Sequence, residues 1–355
     1  MKHSSSFFHP ICETCNILTQ AYGKNRSGTQ RFRCISCKKY HTIKKKNSGR
    51  PLQKPLDRIW FERWILNGYT IAQIHQVTGF HPRWIQSELH LYLDQPVEIL
   101  NSSFDKYFKT FPAQYRDFLI DGTWFGDLCC IVLRCSVHQL IFSYTWAKQE
   151  RASVIKRILR FCWYRPWIFR GFISDGGTGV VKAVSDSFPY KPHQHCLVHQ
   201  MRRVMLCCGK RPSKDISKAL KTVSLLVWDV RSHSDLKVWK TWLGEWVDVY
   251  RTDLKETYID HLGRKKFLHQ KARTGLIRLK TAVNNCFVFL DHEQMSRDTN
   301  AIEGGSFAPL KKKINLHSGM PSKRQQRVVE HYIALKNKEV LCKLNCYVSL
   351  KEKTL

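Results

Sequence analysis

The chain has 355 residues, of which 43% are apolar and 12% aromatic, so it can bury a substantial core. Its length predicts two or three structural units. Its 59 lysine and arginine residues exceed its 28 acidic residues, and the resulting net charge of +31 indicates a polyanionic partner. We expect nucleic acid rather than a membrane, because the sequence contains no lipid-anchor motif, no basic amphipathic terminal helix and no apolar run of membrane-spanning length. The N-terminus lacks a secretory signal pattern, so the protein is expected in the cytoplasm, associated with the nucleoid.

Four cysteines near the start of the chain are spaced as zinc ligands. The sequence reads Cys12-Glu-Thr-Cys15 and, eighteen residues later, Cys34-Ile-Ser-Cys37. Paired Cys-x2-Cys knuckles place four thiolates at the corners of a tetrahedron, so we predict a zinc-ribbon-like module over residues 1–46 that binds one Zn²⁺ and needs it for folding. Two unrelated pairs of buried or redox-active cysteines are the alternative. Four residues are expected to form the small apolar face of this module: Tyr22, Phe32, Tyr40 and Ile43.

Residues 50–100 show a helical spacing of apolar residues in three short segments. The first is predicted at about 56–66, the second begins after Thr70 and is broken by Gly79, and the third begins near Pro82. Short helices joined by a glycine-containing turn are typical of a helix-turn-helix domain, whose last helix enters the major groove of DNA. A three-helix packing module without DNA contacts is the alternative. The candidate base contacts on the third helix are His81, Arg83, Gln86 and Ser87.

From about residue 104 the pattern changes to that of strands, with apolar, β-branched and aromatic runs separated by short breaks. The predicted elements are, in order, strands 118–123, 128–136 and 140–147, helix 150–164, strand 167–174, helix 178–188 and strand 195–198. This order is that of the ribonuclease H fold. We therefore predict an α/β ribonuclease H-like domain over residues 104–340, with an all-α insertion at about 204–295 and a short tail at 341–355.

Three acidic residues of this domain lie in distinctive local sequences. Asp121 ends one apolar run, Asp175 ends a second apolar run and precedes two glycines, and Glu303 precedes another pair of glycines. An acid at the end of a buried strand is costly unless something neutralises it, and hard divalent cations prefer oxygen ligands. We therefore predict that the three acids bind two Mg²⁺ (or Mn²⁺) ions and catalyse phosphoryl transfer. Asp298 is the alternative third acid.

Four motifs resemble the Mutator-type DDE transposases, a family found in bacterial insertion sequences and plant elements: Ile120-Asp121-Gly-Thr, Ser174-Asp175-Gly-Gly, Cys196-Leu-Val-His199 and Thr299-Asn300-Ala-Ile-Glu303. The Cys-x2-His motif after the second aspartate is the most specific of them, and the family also has a helical insertion before the glutamate. The resemblance covers about residues 116–337. It implies catalysis by Asp121, Asp175 and Glu303 and metal-dependent cleavage and transfer of DNA strands.

The resemblance also implies that Cys196, His199 and Asn300 lie close to the catalytic acids. Two alternatives remain for the cysteine and the histidine: half of a second zinc site, or a buried thiol beside a hydrogen-bonded imidazole. Three basic residues shortly after Glu303 are candidate contacts of the DNA backbone: Lys311, Lys312 and Lys313.

The sequence thus predicts a transposase that binds the terminal inverted repeats of a DNA mobile element, acts as a homo-oligomer on double-stranded DNA, and cuts and joins its strands. A domesticated ribonuclease H-fold nuclease is one alternative. The other is a zinc and helix-turn-helix regulator whose catalytic-looking half has no activity. Acidic residues at all three expected positions argue against the regulator.

Overall fold

The computed structural model describes residues 9–26, 28–42, 55–111, 116–316 and 320–348. Within these ranges, it describes only the backbone of four residues: Glu303, Ser306, Lys313 and Leu316. The chain divides into two compact units, Met1–Leu56 and Asp57–Leu355. Within the described ranges, no helix has both the length and the apolar content that a membrane crossing requires.

The first unit contains a three-stranded antiparallel sheet in the order β1-β2-β3. Its strands are β1 (Gln20–Lys24), β2 (Gln30–Arg33) and β3 (Tyr40–Thr42). Phe32 is buried as predicted, but Tyr22 and Tyr40 are 45% and 52% exposed, so the predicted apolar face is largely wrong. The two tyrosine rings lie 5.3 Å apart under the guanidinium of Arg33, an arrangement that tolerates water because the ring faces attract the cation. Ile43 lies outside the described residues.

The second unit begins with four helices, α1 (Arg58–Leu66), α2 (Ile71–Thr78), α3 (Pro82–Asp94) and α4 (Asn101–Thr110). The sequence signals for the ends of α2 act as expected. Thr70 and Gln73 form a reciprocal capping box at its start, and Gly79 ends it with a φ of 72°. Pro82 occupies the first turn of α3, where no main-chain N–H is needed.

A five-stranded mixed sheet forms the centre of this unit, in the order β6-β5-β4-β7-β8. Its strands are β4 (Phe118–Phe125), β5 (Leu128–Cys135), β6 (Ile141–Ala147), β7 (Phe172–Ser174) and β8 (His193–His195), and the helices α5 (Ala152–Trp163) and α6 (Thr178–Ser187) flank β7 along the chain. The pairs β4–β5 and β5–β6 are antiparallel, whereas β4–β7 and β7–β8 are parallel. The last parallel pairs join Ile120, Ser174 and His195; β7 and β8 end at this level, whereas β4 continues to Phe125 beside β5.

Two predicted strands have different bounds in the structure. The strand predicted at 167–174 begins only at Phe172, because Pro166–Ile168 forms a 3₁₀ turn. The strand predicted at 195–198 is wrong except for His195, because β8 is His193–His195 and α7 already begins at Leu197. The polar sequence of β8 does not look like that of a buried strand. Gln194 is nevertheless fully buried, since its side-chain amide donates to the carbonyl of Cys286 at 2.7 Å and accepts from the N–H of Phe289 at 3.1 Å.

The predicted all-α insertion is mostly helical but contains a hairpin. Its elements are α7 (Leu197–Cys208), α8 (Asp215–Leu225), α9 (His233–Val249), β9 (Thr257–Ile259), β10 (Lys265–Phe267) and α10 (Gln270–Asn285). The prediction missed β9 and β10 because each has three exposed residues and no alternating apolar pattern. Asp260 fixes the turn between them. Its carboxylate accepts from the N–H groups of Leu262 and Arg264, both at 2.9 Å.

The chain then forms α11 (Asn300–Ile302), a π-helical turn (Glu303–Phe307), α12 (Ala308–Leu316) and α13 (Ser322–Lys343). Helix α13 connects the central sheet to the N-terminal helices. The amide of buried Asn337 accepts from the N–H of Ile141 on β6 at 2.9 Å and donates to its carbonyl at 2.8 Å. Ten residues earlier on the same helix, Arg327 donates to the carbonyl of Leu93 in α3 at 3.0 Å. These bonds join α3 and the sheet through one helix.

Helices α5 and α6 pack closely on one face of the sheet, and glycine makes this approach possible. A β-carbon on Gly179 of α6 would lie 2.0 Å from the carbonyl oxygen of Glu150 and 3.4 Å from the main-chain nitrogen of Ala152. Only a residue without a side chain allows the two main chains to pass at this distance. The packing covers the apolar side of the sheet, where Ile120 and Phe172 belong to the core.

We expect Gly179→Ala to destabilise the protein by about 1–3 kcal/mol or more, as overpacking usually does, because the new methyl group would overlap rigid main chain. The matched control is Gly244→Ala in the exposed part of α9, where no atom of the described residues lies within 4 Å of the new methyl group. That change should raise stability by about 1 kcal/mol through helix propensity alone. Urea unfolding of both variants measures the difference, and equal stabilities would contradict the close α5–α6 contact.

Candidate functional site

The strand register brings two of the predicted catalytic residues together. Ile120 of β4 is paired with Ser174 of β7, and Ser174 is paired with His195 of β8. Asp121 and Asp175 are the next residues on two neighbouring parallel strands, which lie about 4.8 Å apart in a sheet. The two acids therefore follow the last paired position at the same edge.

Main-chain and side-chain donors orient the carboxylate of Asp175. The N–H of Gly177 donates to Oδ1 at 2.8 Å, and Arg203 of α7 donates from Nη2 to Oδ2 at 3.1 Å. Gln200, one turn earlier on the same helix, donates to the main-chain carbonyl of Asp175 at 3.0 Å. Gly176 has a φ of 72°, and a β-carbon there would lie 2.8 Å from Gln200 Nε2, so this turn requires glycine.

Asp121 lies on the sheet face opposite to helices α5 and α6. Its neighbour Gly122 faces those helices, since a β-carbon there would lie 2.5 Å from Glu150 Oε1 and 2.8 Å from Cys129 Sγ. Successive residues of a strand point to opposite faces, so Asp121 points away from them. Its Oδ1 accepts from the N–H of Gly122 at 2.9 Å.

The segment that carries Glu303 is anchored on both sides. Before it, Thr299 is fully buried and donates to Cys196 Sγ, from its N–H at 3.3 Å and from its hydroxyl at 3.4 Å. After it, the ring of Phe307 packs on Phe125, with centroids 6.2 Å apart. Phe125 shares the face of Asp121, because the two are four residues apart on β4. The backbone of Glu303 thus lies between the end of β8 and β4, while its side chain lies outside the described residues.

The predicted site-proximal residues Cys196 and His199 hold this segment. Cys196 is the N-cap residue of α7 and is fully buried, and burial raises the pKa of its thiol although bonds from Thr299 oppose the rise. The hydroxyl of Thr299 also lies 3.4 Å from His199 Nδ1. Among the described residues, no group with the spacing of metal ligands contains either side chain. Asn300 is exposed and begins α11.

The histidines before Cys196 have other partners. The ring Nε2 of His193 lies 2.8 Å from the hydroxyl of Ser174. Burial, together with the neighbouring His195, lowers the pKa of His193 to about 3. Burial also lowers the pKa of His195, where Asp175 and Arg203 act in opposite directions. Both imidazoles are therefore neutral at physiological pH.

The alternative third acid, Asp298, has a structural role in this arrangement. Its Oδ1 accepts from the N–H of Asn300 at 2.9 Å, so it caps the turn that begins α11. Ser296 donates from its hydroxyl to the carbonyl of Asp298 at 2.9 Å.

Sequence reasoning missed Arg203 and Gln200, which contact Asp175. A signal was present, because Cys196, His199 and Arg203 recur at spacings of three and four residues and so share one face of α7. A fully buried arginine on β5, Arg134, was also missed, since an arginine in an apolar strand gives no sign of its burial.

The predicted DNA-contacting side chains are accessible where they are described. Arg83, Gln86 and Ser87 are exposed on α3, whereas the opposite face of that helix is buried. Lys311 and Lys312 are exposed on α12. The side chain of Lys313 and the stretch 43–54 lie outside the described residues.

The four cysteines of the first unit form one cluster. The sulfur atoms of Cys12, Cys15, Cys34 and Cys37 all lie within 4.8 Å of one another, and those of Cys12 and Cys37 are 3.6 Å apart. Four thiolates at about 2.3 Å from a central zinc would be separated by about 3.8 Å. The residues present therefore fit a tetrahedral zinc ion.

The two cysteine knuckles have the same main-chain geometry. Asn16 and Lys38, each directly after the second cysteine of its pair, have φ values of 55° and 62°. The N–H of Asn16 donates to the carbonyl of Cys12 at 2.8 Å, and that of Lys38 donates to the carbonyl of Cys34 at 3.1 Å. The two cysteine pairs are therefore held by equivalent main-chain turns.

The pKa values of the Cys12 and Cys37 thiols are shifted in opposite directions. Desolvation raises the pKa of Cys12, but main-chain bonds from Cys15 and Thr14 and contacts with other thiols lower it to about 6. At Cys37 the main chain of Lys39 lowers the pKa, and desolvation and the neighbouring thiols raise it to about 11.

We expect the purified full-length protein to contain about one zinc per chain, held by four thiolates. Cys34→Ser should reduce the zinc content and expose the first unit to proteolysis, because the small module depends on the metal for its stability. The control is Cys342→Ser, which changes an exposed cysteine on α13 and should leave the zinc content unchanged. Metal analysis and limited proteolysis test this, and a wild-type protein without bound metal would contradict it.

Comparison with protein families finds a match in the second unit of the chain. Residues 170–260 match the family model of the transposases of the Mutator family. The matched stretch runs from β7 to β9 and contains Asp175, Cys196 and His199. No curated protein matches the chain. The match supports the assignment of this chain to the Mutator-type transposase family.

Proposed function

We propose that the protein is the transposase of a DNA mobile element, and that it cleaves and transfers DNA strands with Asp121, Asp175 and Glu303 as catalytic residues. One observation carries the proposal. Asp121 and Asp175 follow paired positions on neighbouring parallel strands, in a chain whose residues 170–260 match Mutator family transposases. Two carboxylates so placed form an acidic edge in a protein with a net charge of +31.

The strand order supports a ribonuclease H-like catalytic domain. An antiparallel β4–β5–β6 meander is followed by parallel β7 and β8, with α5 and α6 between the strands. The acids then lie at the carboxyl edge of the parallel strands, where ligands of α/β sheets usually bind. The anchors at Thr299 and Phe307 support the placement of Glu303 over the same edge.

The described donor set fits hard divalent cations. Both aspartates offer carboxylate oxygens, which Mg²⁺ and Mn²⁺ prefer. The ion pair between Asp175 and Arg203 is accessible, with side-chain exposures of 20% and 38%, and such pairs are worth about 1 kcal/mol or less. A cation can therefore displace Arg203 at little cost. We propose that Asp121, Asp175 and Glu303 hold two such ions, which would activate the attacking oxygen and stabilise the leaving oxygen.

In the proposed function, the residues around Asp175 and Glu303 hold these two acids in position. Gly177 fixes the direction of the Asp175 carboxylate, and Arg203 neutralises it until cations arrive, after which the guanidinium can contact a DNA phosphate. Cys196 and His199 hold Thr299 and thereby the start of the Glu303 segment. These are positioning roles that need no proton transfer by the thiol or the imidazole.

We further propose that α2 and α3 form a helix-turn-helix that binds the terminal inverted repeats, with Arg83, Gln86 and Ser87 as contacts. Three features support this: the glycine-ended α2, the exposed face of α3 and the basic composition of the chain. The zinc module and the lysines of α12 would add backbone contacts, and a homo-oligomer would bring two DNA ends together. The bacterial cytoplasm and its nucleoid are the proposed location.

We expect Asp121→Asn, Asp175→Asn and Glu303→Gln each to abolish metal-dependent strand cleavage while the fold and most DNA affinity are kept. Each change is nearly isosteric but removes a negative ligand, and the electrostatic stabilisation lost is worth several kcal/mol. A nicking assay on the element's terminal DNA with Mg²⁺ or Mn²⁺ measures cleavage. Thermal unfolding should show that Mn²⁺ stabilises the wild type more than any of the three variants.

The matched control is Asp298→Asn, which keeps the cap of α11 because asparagine is also a good N-cap residue. It should cleave at a rate close to that of the wild type. Cleavage by Glu303→Gln together with an inactive Asp298→Asn would reverse the assignment of the third acid. Cleavage by all three acid variants would disprove the proposed catalytic function and favour a DNA-binding regulator.

Substitutions on α3 should weaken DNA binding without changing the strand-cleavage chemistry. Arg83→Ala or Gln86→Ala should weaken binding to the terminal repeats by about 1–3 kcal/mol, the usual value of a good base contact, with little effect on random DNA. Arg58→Ala removes an exposed positive charge from α1 and serves as the control for charge alone. Fluorescence anisotropy at fixed salt measures both affinities. If Arg83→Ala and Gln86→Ala both bind the repeats as the wild type does, α3 is not the recognition helix.

A further inference from the structure

Arg134 is a buried cation in the middle of the central sheet. It lies on β5, paired with Leu119 of β4 and Ile141 of β6, and it is 0% exposed. In the described part of the chain, no hydrogen-bond acceptor is bound to its Nε, Nη1 or Nη2 atoms. Its strand neighbours Val132 and Leu133 are apolar and fully buried.

Such a residue is unfavourable for stability. Desolvation disfavours the charged guanidinium and lowers the pKa of Arg134, yet an arginine stays protonated in proteins. Buried charges are normally paired, and an apolar side chain of similar size usually suits such a position better. An unpaired arginine in this place therefore indicates a role other than stabilising the fold.

The guanidinium lies against the turn that follows Glu303. A β-carbon on Gly305 would lie 3.8 Å from Arg134 Nη2. Gly305 belongs to the π-helical turn Glu303–Phe307, and π turns interrupt the regular hydrogen bonding of a helix and are common at functional sites. The register also places Arg134 on the face of Asp121, since its partner Leu119 is two residues before that acid.

We propose that Arg134 is a positioning residue for the third acid, and that its guanidinium donates hydrogen bonds to main-chain carbonyls of the π-helical turn when the site binds metal and DNA. This inference rests on the proposed function, because it assigns the turn to the catalytic site. A guanidinium suits this task, since it offers five N–H donors in a rigid plane. Each carbonyl can accept a second bond beside the one within the helix.

The test is Arg134→Met, which keeps an extended side chain but removes the charge and the donors. We expect the metal-free variant to unfold at the same temperature as the wild type or higher, because an unpaired charge is removed. Metal-dependent cleavage should nevertheless fall by about 100-fold, the effect of a misplacement of about 1 Å in a catalytic group. The Mn²⁺ concentration for half-maximal cleavage should rise, and affinity for the terminal DNA should stay the same.

Arg116→Met is the matched control for a buried arginine with partners. Arg116 is 2% exposed, and its Nη1 and Nη2 donate to the carbonyls of Ile168 and Phe111 at 2.5 Å and 2.6 Å. Its removal leaves two buried carbonyls without a donor, so this variant should lose stability. Arg134→Lys, which keeps the charge but not the planar donors, should restore cleavage only in part.

The outcomes are distinguishable. If Arg134→Met is destabilised as Arg116→Met is, Arg134 is an ordinary structural residue and the inference is wrong. If it cleaves with the rate and metal dependence of the wild type while Asp121→Asn is inactive, the inference fails and the proposed function stands. If Asp121→Asn, Asp175→Asn and Glu303→Gln also cleave, the proposed function fails, and the inference fails with it.

Discussion

The hydrogen-bonded register of three parallel strands is the constraint on which the candidate site depends. Because Ile120, Ser174 and His195 are paired in one row, β7 and β8 end at the same level, beside β4, which continues to Phe125. Asp121, Asp175 and Cys196 are the next residues along the chain after this row. A shift of one residue in either pair would move an acid to the opposite face, against α5 and α6. The close glycine contacts at Gly122 and Gly179 leave no space for such a shift.

The same edge organises residues that are distant in sequence. Arg203 and Gln200 reach Asp175 because α7 begins directly after β8 and presents one face to it. Thr299 reaches Cys196 across 103 residues, and this contact returns the chain to the sheet after the insertion. In the proposed function, the Cys-x2-His motif positions the segment that carries Glu303, and the acids are the reactive groups.

Sequence patterns predicted those features that local physics determines. Apolar runs ending in an acid located Asp121 and Asp175, the knuckle spacing located the four cysteines that the structure brings together, and glycine and proline marked the ends of α2 and the start of α3. Two of the misses depended on tertiary contacts: strand β8 is polar because its buried amide bonds to a distant loop, and the burial of Arg134 follows from its partners across the sheet. The β9–β10 hairpin was missed for a local reason, since its strands are short and exposed and one aspartate holds its turn.

Two arginines lie beside the acidic edge. Arg203 pairs directly with Asp175 from an accessible position, so in the proposed function it is an exchangeable counter-charge that cations or DNA would displace. Arg134 lies inside the sheet, cannot exchange with solvent, and is directed at the turn after Glu303. A mobile cation suits a carboxylate that must change partners during a reaction. A fixed cation suits a turn that must return to one geometry. Burial of the charged Arg134 side chain costs stability, so a sheet with a purely structural role would not retain this arginine.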